Sequence, residues 1–258
     1  MPDALIGHTG FVGGNLLRQR PFDALYRSTD IGELAGKAFD TIVCAGAPAE
    51  KWKANQDPER DRANLAPLRD ALAKARADRL ILLSTVDVFG RPIGVDEDTP
   101  VETDGLHAYG LHRYELEQFA RDHYDRVLVV RLPGLFGRGL KKNVIYDFLH
   151  DNQVEKIHSE AAFQFYGLDR LWADIATALD AGLDLIHLTT EPVTVRELIG
   201  HAFDREFRNE PPGVTAARYD FQTRHAALYG ARGRYIQDRR GVLDDIRAFV
   251  ASERQADG

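Results

Sequence analysis

Three glycines at three-residue intervals, in Gly7-His8-Thr9-Gly10-Phe11-Val12-Gly13, stand between a short apolar run and a segment with helical spacing. Glycine permits a tight turn and close backbone approach, and a helix opening there offers unspent N–H groups and a partial positive charge. That combination suits the pyrophosphate of a dinucleotide, so Gly7, Gly10, Phe11, Val12 and Gly13 are candidate cofactor-binding residues. Tyr26-Arg27-Ser28 closes the expected second strand. An acidic residue at that place favours a ribose 2′-hydroxyl, and an arginine accommodates a 2′-phosphate. Arg27 and Ser28 point to NADP, and NAD is the alternative if Asp30 takes the ribose. Asp87 is expected at the carboxyl-terminal mouth of the sheet, where such folds bind ligands, and is a candidate acid/base. A capping or solvated carboxylate is the other reading of Asp87. His107 and His112 are five residues apart, off a common helix face and without companion ligands, so no metal centre is expected.

These residues need elements to position them. Short apolar runs at Ala4–Ile6, Thr41–Ala45, Leu80–Leu83 and Val127–Val130 predict buried parallel strands. Between or after them, apolar residues at three- and four-residue spacing predict helices over Phe11–Arg18, Asp61–Ala75, Tyr109–Asp122 and Leu168–Ala181. Repeated strand–helix units predict an α/β fold, a doubly wound Rossmann-type parallel sheet. After about Arg138 the rhythm loosens. A helix over Leu140–His150, strands over Ala162–Tyr166 and Leu185–Leu188, a short helix over Val195–Ala202 and a final helix over Arg239–Ser252 are expected there. Such pieces predict a small C-terminal substrate lobe. The division is residues 1–138, mainly dinucleotide-binding, and 139–258, mainly the lobe, with some segments returning to the sheet. Gln255–Gly258 is expected to be a frayed tail.

The chain has 258 residues, 44% of them hydrophobic, enough to bury a substantial core. A net charge of −7 gives no basic footprint for nucleic acid or an anionic membrane. Cys44 is the single cysteine, so no intrachain disulfide forms and a reducing, cytoplasmic setting is expected. Its place in an apolar run predicts a packed strand thiol. The first residues carry neither a basic flank nor a long apolar stretch, so neither a secretory signal nor a membrane span is expected.

The ordered series of motifs resembles the extended short-chain dehydrogenase/reductases, the group of NAD-dependent epimerases and dehydratases. Their opening motif is glycine-x-x-glycine-phenylalanine-hydrophobic-glycine. Thr41-Ile-Val-Cys-Ala-Gly-Ala47 resembles the strand passing the adenine side, and Asn64 falls where the family places a helix asparagine. Ser84-Thr85-Val86-Asp87-Val88-Phe89-Gly90 resembles the serine/threonine motif, and Tyr109-Gly-Leu-His-Arg113-Tyr-Glu-Leu-Glu117 the tyrosine helix. Arg131-Leu-Pro-Gly-Leu-Phe-Gly137 resembles the next strand and loop. Phe163 to Asp169 and Thr194 to Leu198 resemble the substrate lobe, so the likeness runs from about Ala4 to at least Leu198. It implies that Ala45, Gly46, Asn64 and Pro133 join the cofactor contacts.

The resemblance also implies that Tyr109 exchanges a proton with a carbonyl or hydroxyl while Thr85 hydrogen-bonds the same oxygen. The family carries a lysine four residues after the tyrosine, where this chain has Arg113. Arginine keeps the charge, so some lowering of the tyrosine pKa and a grip on the nicotinamide ribose through its fork of donors are expected. It does not release a proton near neutral pH, and its planar head is larger. Val86 stands where related dehydratases begin an acidic pair, so dehydration is disfavoured. Gly134 stands where many nucleotide-sugar epimerases have asparagine and where sugar-nucleotide reductases often lack it. The implied function is an NAD(P)-dependent oxidoreductase or epimerase acting by hydride transfer on a small molecule, a nucleotide-linked or related sugar. The alternative is an NAD(P)-binding module with a structural or sensing role, its catalysis impaired by Arg113. A homodimer through the tyrosine helix is also implied.

Overall fold

The computed structural model describes residues 2–256. The chain runs through β1 (Ala4–Ile6), α1 (Phe11–Gln19), β2 (Ala24–Tyr26), β3 (Ala38–Cys44), α2 (Lys51–Gln56), α3 (Pro58–Lys74) and β4 (Arg76–Thr85). It continues through β5 (Ile93–Val95), α4 (Ala108–His123), β6 (Val127–Leu132), β7 (Gly134–Phe136), α5 (Val144–Leu149), β8 (Ala162–Phe163) and β9 (Phe165–Gly167). The last elements are α6 (Leu171–Asp180), β10 (Leu185–His187), β11 (Val193–Thr194), α7 (Val195–Ala202), β12 (Asp220–Phe221) and α8 (Arg239–Ala256). Two compact units result. One comprises the described residues up to Gly90 with Thr99–Leu132 and Leu171–Ile186; the other comprises Arg91–Asp98, Pro133–Arg170 and the described residues from His187 onward.

The first unit is built on a six-stranded sheet of order β10-β6-β4-β3-β1-β2. Pairing is parallel from β2 to β6: Ile6 registers with Tyr26 on one side and Cys44 on the other, Cys44 with Leu82, and Thr85 with Leu132. From β1 the chain steps outward to β2, then returns past β1 to β3. The carboxyl ends of β1 and β3 thus flank the point where strand order reverses, and a doubly wound sheet opens a crevice there. Ile42, Cys44, Leu80 and Leu82 are buried on one face against Leu65, Leu68 and Leu72 of α3 and Leu116 and Ala120 of α4. Burying each such leucine contributes about 1.5–3 kcal/mol. Asp57 starts α3 by accepting the Arg60 N–H, with Pro58 at the first helical position.

In the second unit the sequence expectations need correction. The helix expected over Leu140–His150 spans only Val144–Leu149, because the Asn143 side chain caps it by accepting the N–H groups of Ile145 and Tyr146. The single strand expected over Ala162–Tyr166 is two: β8 pairs antiparallel with β11, and β9 pairs parallel with β7. Gln164 separates them. Its buried amide nitrogen lies within hydrogen-bond distance of Thr189 Oγ1 and of the carbonyls of Thr190 and Phe221, and its oxygen accepts the Phe221 N–H. Leu168–Arg170 is a 3₁₀ turn before α6, not the start of the helix. The final helix continues to Ala256, past the expected start of the tail at Gln255; Asp257 and Gly258 lie outside the described residues. Val242, Ile246 and Val250, one turn apart, bury its apolar stripe. Among the described residues no helix is long and apolar enough to cross a membrane.

Candidate cofactor and proton-transfer site

β1 ends at Ile6, and the chain turns at Gly7, whose φ of +86° suits glycine. The turn is closed by hydrogen bonds from Gly7 N–H to Tyr26 O and from Gly10 N–H to Gly7 O. A Cβ on Gly7 would lie 2.4 Å from Ala45 O, and one on Gly13 2.2 Å from Gly7 O, so both glycines are demanded by the fold itself. Gly10 differs. It caps α1 with no side-chain bond, it is exposed, and a Cβ there would meet only Gly7 O, at 3.2 Å. Half-buried Phe11 and Val12 and buried Gly13 form a first helical turn without an acidic residue. A helix start with free N–H groups, no opposing carboxylate and a bare glycine in front fits a pyrophosphate. Gly10→Val is expected to abolish dinucleotide binding in a titration of cofactor fluorescence while the thermal unfolding transition is kept. Undiminished affinity in the folded variant would remove the phosphate turn from the site.

β2 ends at Tyr26, and the two candidates for cofactor choice meet at the corner beyond it. Asp30 accepts the Arg27 backbone N–H at 2.7 Å, and its carboxylate lies 3.4 Å from the Arg27 guanidinium. Ser28 is exposed beside them. After β3, Ala45 donates its N–H to Ile6 O, and half-buried Ala45 and Gly46 follow the strand end next to the glycine turn. Pro133 directly follows β6 and is half-buried. Asn64 is exposed on α3; the buried polar residue one turn earlier is Asp61.

Thr85 is the last residue of β4, and its side chain accepts the Asp87 N–H at 3.1 Å, which starts a 3₁₀ turn. The same side chain is hydrogen-bonded to the phenol of Tyr109 in the first turn of α4. Two further groups hold that helix start. His107 Nδ1 accepts the Gly110 N–H, and Asn55 of α2 accepts the Tyr109 N–H, each at 3.0 Å. The guanidinium of Arg113 stacks over the Tyr109 ring, 4.1 Å from its centroid.

The geometry redirects the expectation for Arg113. Both terminal nitrogens donate to the carboxylate of Asp61, and one also donates to Pro48 O at 2.5 Å. Asp61 is shared with His112, whose Nδ1 lies 2.8 Å away. All three side chains are buried. Nε of Arg113 has no partner among the described residues, although it too is buried. With the fork committed, Nε is the donor left over, and an orphaned buried donor at this place fits a ligand that supplies an acceptor. Burial alone would raise the pKa of Asp61, but hydrogen bonds from Arg113 and His112 and their charges hold it below the usual aspartate value. Tyr109 moves the other way. Its burial outweighs the charges of Arg113 and Lys51 and the Thr85 hydrogen bond, and Asp87 adds to the effect, so its pKa lies above the ordinary value rather than below it.

Three residues at this site escape a reading of the sequence. Asp61 sits in the first turn of α3, where acids normally complement the helix dipole in solvent; the signal that could have found it is Arg113, a buried arginine that needs a counter-ion. Lys51 and Asn55 belong to α2, whose Lys51-Trp-Lys-Ala-Asn-Gln56 has no apolar stripe. In the second unit, a Cβ on Gly134 would lie 2.8 Å from Gln164 O, so the β7–β9 pairing excludes an asparagine there without displacement.

No protein-family model matches the chain, and no curated protein matches it. Solved structures do. A UDP-glucose 4-epimerase from Thermotoga maritima, bound to UDP-glucose, is 15% identical over 100% of both chains with a TM-score of 0.72. A dTDP-4-dehydrorhamnose reductase from Bacillus anthracis, in complex with NADP, is 17% identical over 97% of this chain and 98% of that one, also with a TM-score of 0.72. MoeE5, in complex with UDP-glucose and NAD, is 17% identical over 100% of both chains, again at 0.72. The chain shares the fold of these epimerases and reductases.

Proposed function

We propose that this chain is an NAD(P)-dependent oxidoreductase or epimerase acting by hydride transfer on a nucleotide-linked or related sugar. The observation that carries the reading is the hydrogen bond between Thr85 and the Tyr109 phenol at the carboxyl end of β4, in the unit that also holds the glycine turn. The three structural neighbours, which hold UDP-glucose, NADP or NAD, support it. The bound dinucleotide supplies hydride chemistry at its nicotinamide. The chain's own residues do the rest. The turn Gly7 to Gly13 holds the pyrophosphate, and Ala45 and Gly46 border the cofactor. Tyr109 gives or takes the proton at the sugar oxygen, and Thr85 fixes that oxygen. Arg113, anchored on Asp61, stiffens the base of the tyrosine and turns Nε toward the ribose.

Two features favour reduction of a keto sugar. A buried phenol with a raised pKa is protonated at neutral pH, the state a proton donor starts from, and Gly134 leaves no room for the asparagine of many epimerases. The test is a panel of sugar nucleotides and their keto derivatives, each added to the chain with oxidised or reduced cofactor while nicotinamide absorbance is followed. A change with one of them supports the reading; tight cofactor binding without any change opposes it.

NADP is the proposed cofactor. Arg27 would pair with the 2′-phosphate in competition with Asp30, and a charge-assisted pair of this kind changes affinity about tenfold. The parent is therefore expected to bind NADP more tightly than NAD, Arg27→Ala to erode the preference, and Asp30→Asn to sharpen it. Equal affinities in the parent would reject Arg27 and leave Asp30 on the ribose. The reading places the chain in the cytoplasm, where its buried Cys44 stays reduced; burial pushes that thiol up to about 11. A homodimer through α4 is the assembly the same reading expects.

A further inference from the structure

Lys51 opens α2, and its Nζ lies 2.7 Å from Asp87 Oδ1. Asp87 is in turn tied through its N–H to Thr85, the residue that hydrogen-bonds Tyr109. The same helix grips α4 through Asn55, which accepts the Tyr109 N–H. One short helix therefore both fixes the backbone of the tyrosine and pairs an ammonium with the carboxylate two residues from Thr85, and both charges act on the phenol. The side chains of Lys51 and Asp87 are 38% and 16% exposed, and an ion pair that open contributes little to stability. Arg113 is differently placed. It stacks on the ring from one helical turn away, with its fork on the Asp61 carboxylate, so its charge is compensated on the spot.

We propose that Lys51, oriented by Asp87, is a positioning residue that supplies the adjustable positive charge beside the Tyr109 hydroxyl, while Arg113 serves as a fixed clamp. The inference rests on Tyr109 being the proton-transfer residue. In carbonyl reduction the phenol O–H breaks and its proton goes to the substrate oxygen, hydride from the reduced nicotinamide cofactor adds to the carbonyl carbon, and the phenolate left behind takes a proton from water. The ammonium favours that phenolate and the Asp87 carboxylate opposes it, so the pair sets how readily the proton leaves. Charged and titratable groups around the phenol are Arg113, His107 and His112 on α4 or at its start, Lys51 on α2, Asp61 on α3 and Asp87 on the 3₁₀ turn. Glu117 and Arg131, further along α4 and on β6, neutralise one another in a buried pair.

The test is a cycle of variants in the full chain. Each is read by NMR titration of ring-labelled tyrosine, with the Tyr109 signal assigned among nine tyrosines by its loss in Tyr109→Phe. Asp87→Asn removes the carboxylate that opposes the phenolate and is expected to lower the titration of Tyr109 by about one pH unit. Adding Lys51→Met to Asp87→Asn should reverse that shift, and adding Lys51→Arg instead should keep it. The alkaline limb of the single-turnover rate should move in the same directions. If Lys51→Met leaves the Tyr109 titration of Asp87→Asn where it was, or Lys51→Arg acts as Lys51→Met does, the proposal is overturned. The titration needs no turnover. A chain whose Tyr109 responds as expected but reduces no sugar nucleotide keeps the electrostatic assignment and loses the proposed reaction.

Discussion

Tyr109→Phe is expected to slow single-turnover hydride transfer by about 10²–10⁴-fold, the usual contribution of a positioned proton donor. The variant removes one hydroxyl and little else. Tyr109 is buried, and its ring carries the stacked guanidinium of Arg113, an arrangement phenylalanine retains. Cofactor affinity should therefore stay close to that of the parent, which separates the effect from binding when cofactor is saturating. Thr85→Val should lower the rate in the same sense, because it withdraws the hydrogen bond that aligns the phenol. An unchanged rate in Tyr109→Phe would remove Tyr109 from proton transfer.

Asp61→Ala is expected to cost about 3–5 kcal/mol of unfolding free energy in urea, the range for breaking a buried ion pair from one side. The cause is the guanidinium left behind. Arg113 is 3% exposed and would keep its contact with Pro48 O but lose both bonds to the carboxylate, and His112 would lose its partner as well. Asp61→Ala/Arg113→Met should recover a large part of the loss, since replacing both members removes the uncompensated charge. Arg113→Lys keeps a charge but has no planar fork to span Asp61 and Pro48 O, and should fall between them. The pH dependence follows from the sign of the Asp61 shift. Its folded pKa lies below the ordinary 3.8, so its contribution is fully present above that value and is lost as pH falls through the folded one. Asp61→Ala should therefore lose less stability than the parent on acidification below about pH 4. A variant as stable as the parent at neutral pH would contradict the clamp.

The strongest sequence signals are the ones with a local physical cause. The glycine turn is legible because a strand, a positive φ and a helix start must follow one another within a few residues, and the central strands because buried parallel strands read as unbroken apolar runs. The meeting of Thr85 with Tyr109 came through the order of motifs and not through any local pattern. What was not legible is made by tertiary contact. Strands of two or three residues, such as β8 and β9, have no measurable period, and Gln164 splits them by bonding to Thr189, Thr190 and Phe221, far away in sequence. Helix α2 carries two lysines, an asparagine and a glutamine within six residues, and what it contributes is a partner for Tyr109 and Asp87 that only the fold reveals. Asp61 looks like a helix-dipole acid until Arg113 is seen to lie on it.

The most direct measurement of the central claim is transfer of deuterium from the labelled C4 position of the reduced nicotinamide cofactor to a sugar nucleotide, followed by mass spectrometry in the parent and in Gly10→Val. The account predicts a sugar nucleotide that gains the label with the parent and none with Gly10→Val, whose phosphate turn is blocked. Tight binding of the cofactor by the parent, with no label reaching any keto sugar nucleotide in the panel, would contradict it and describe a chain that holds the dinucleotide without using it.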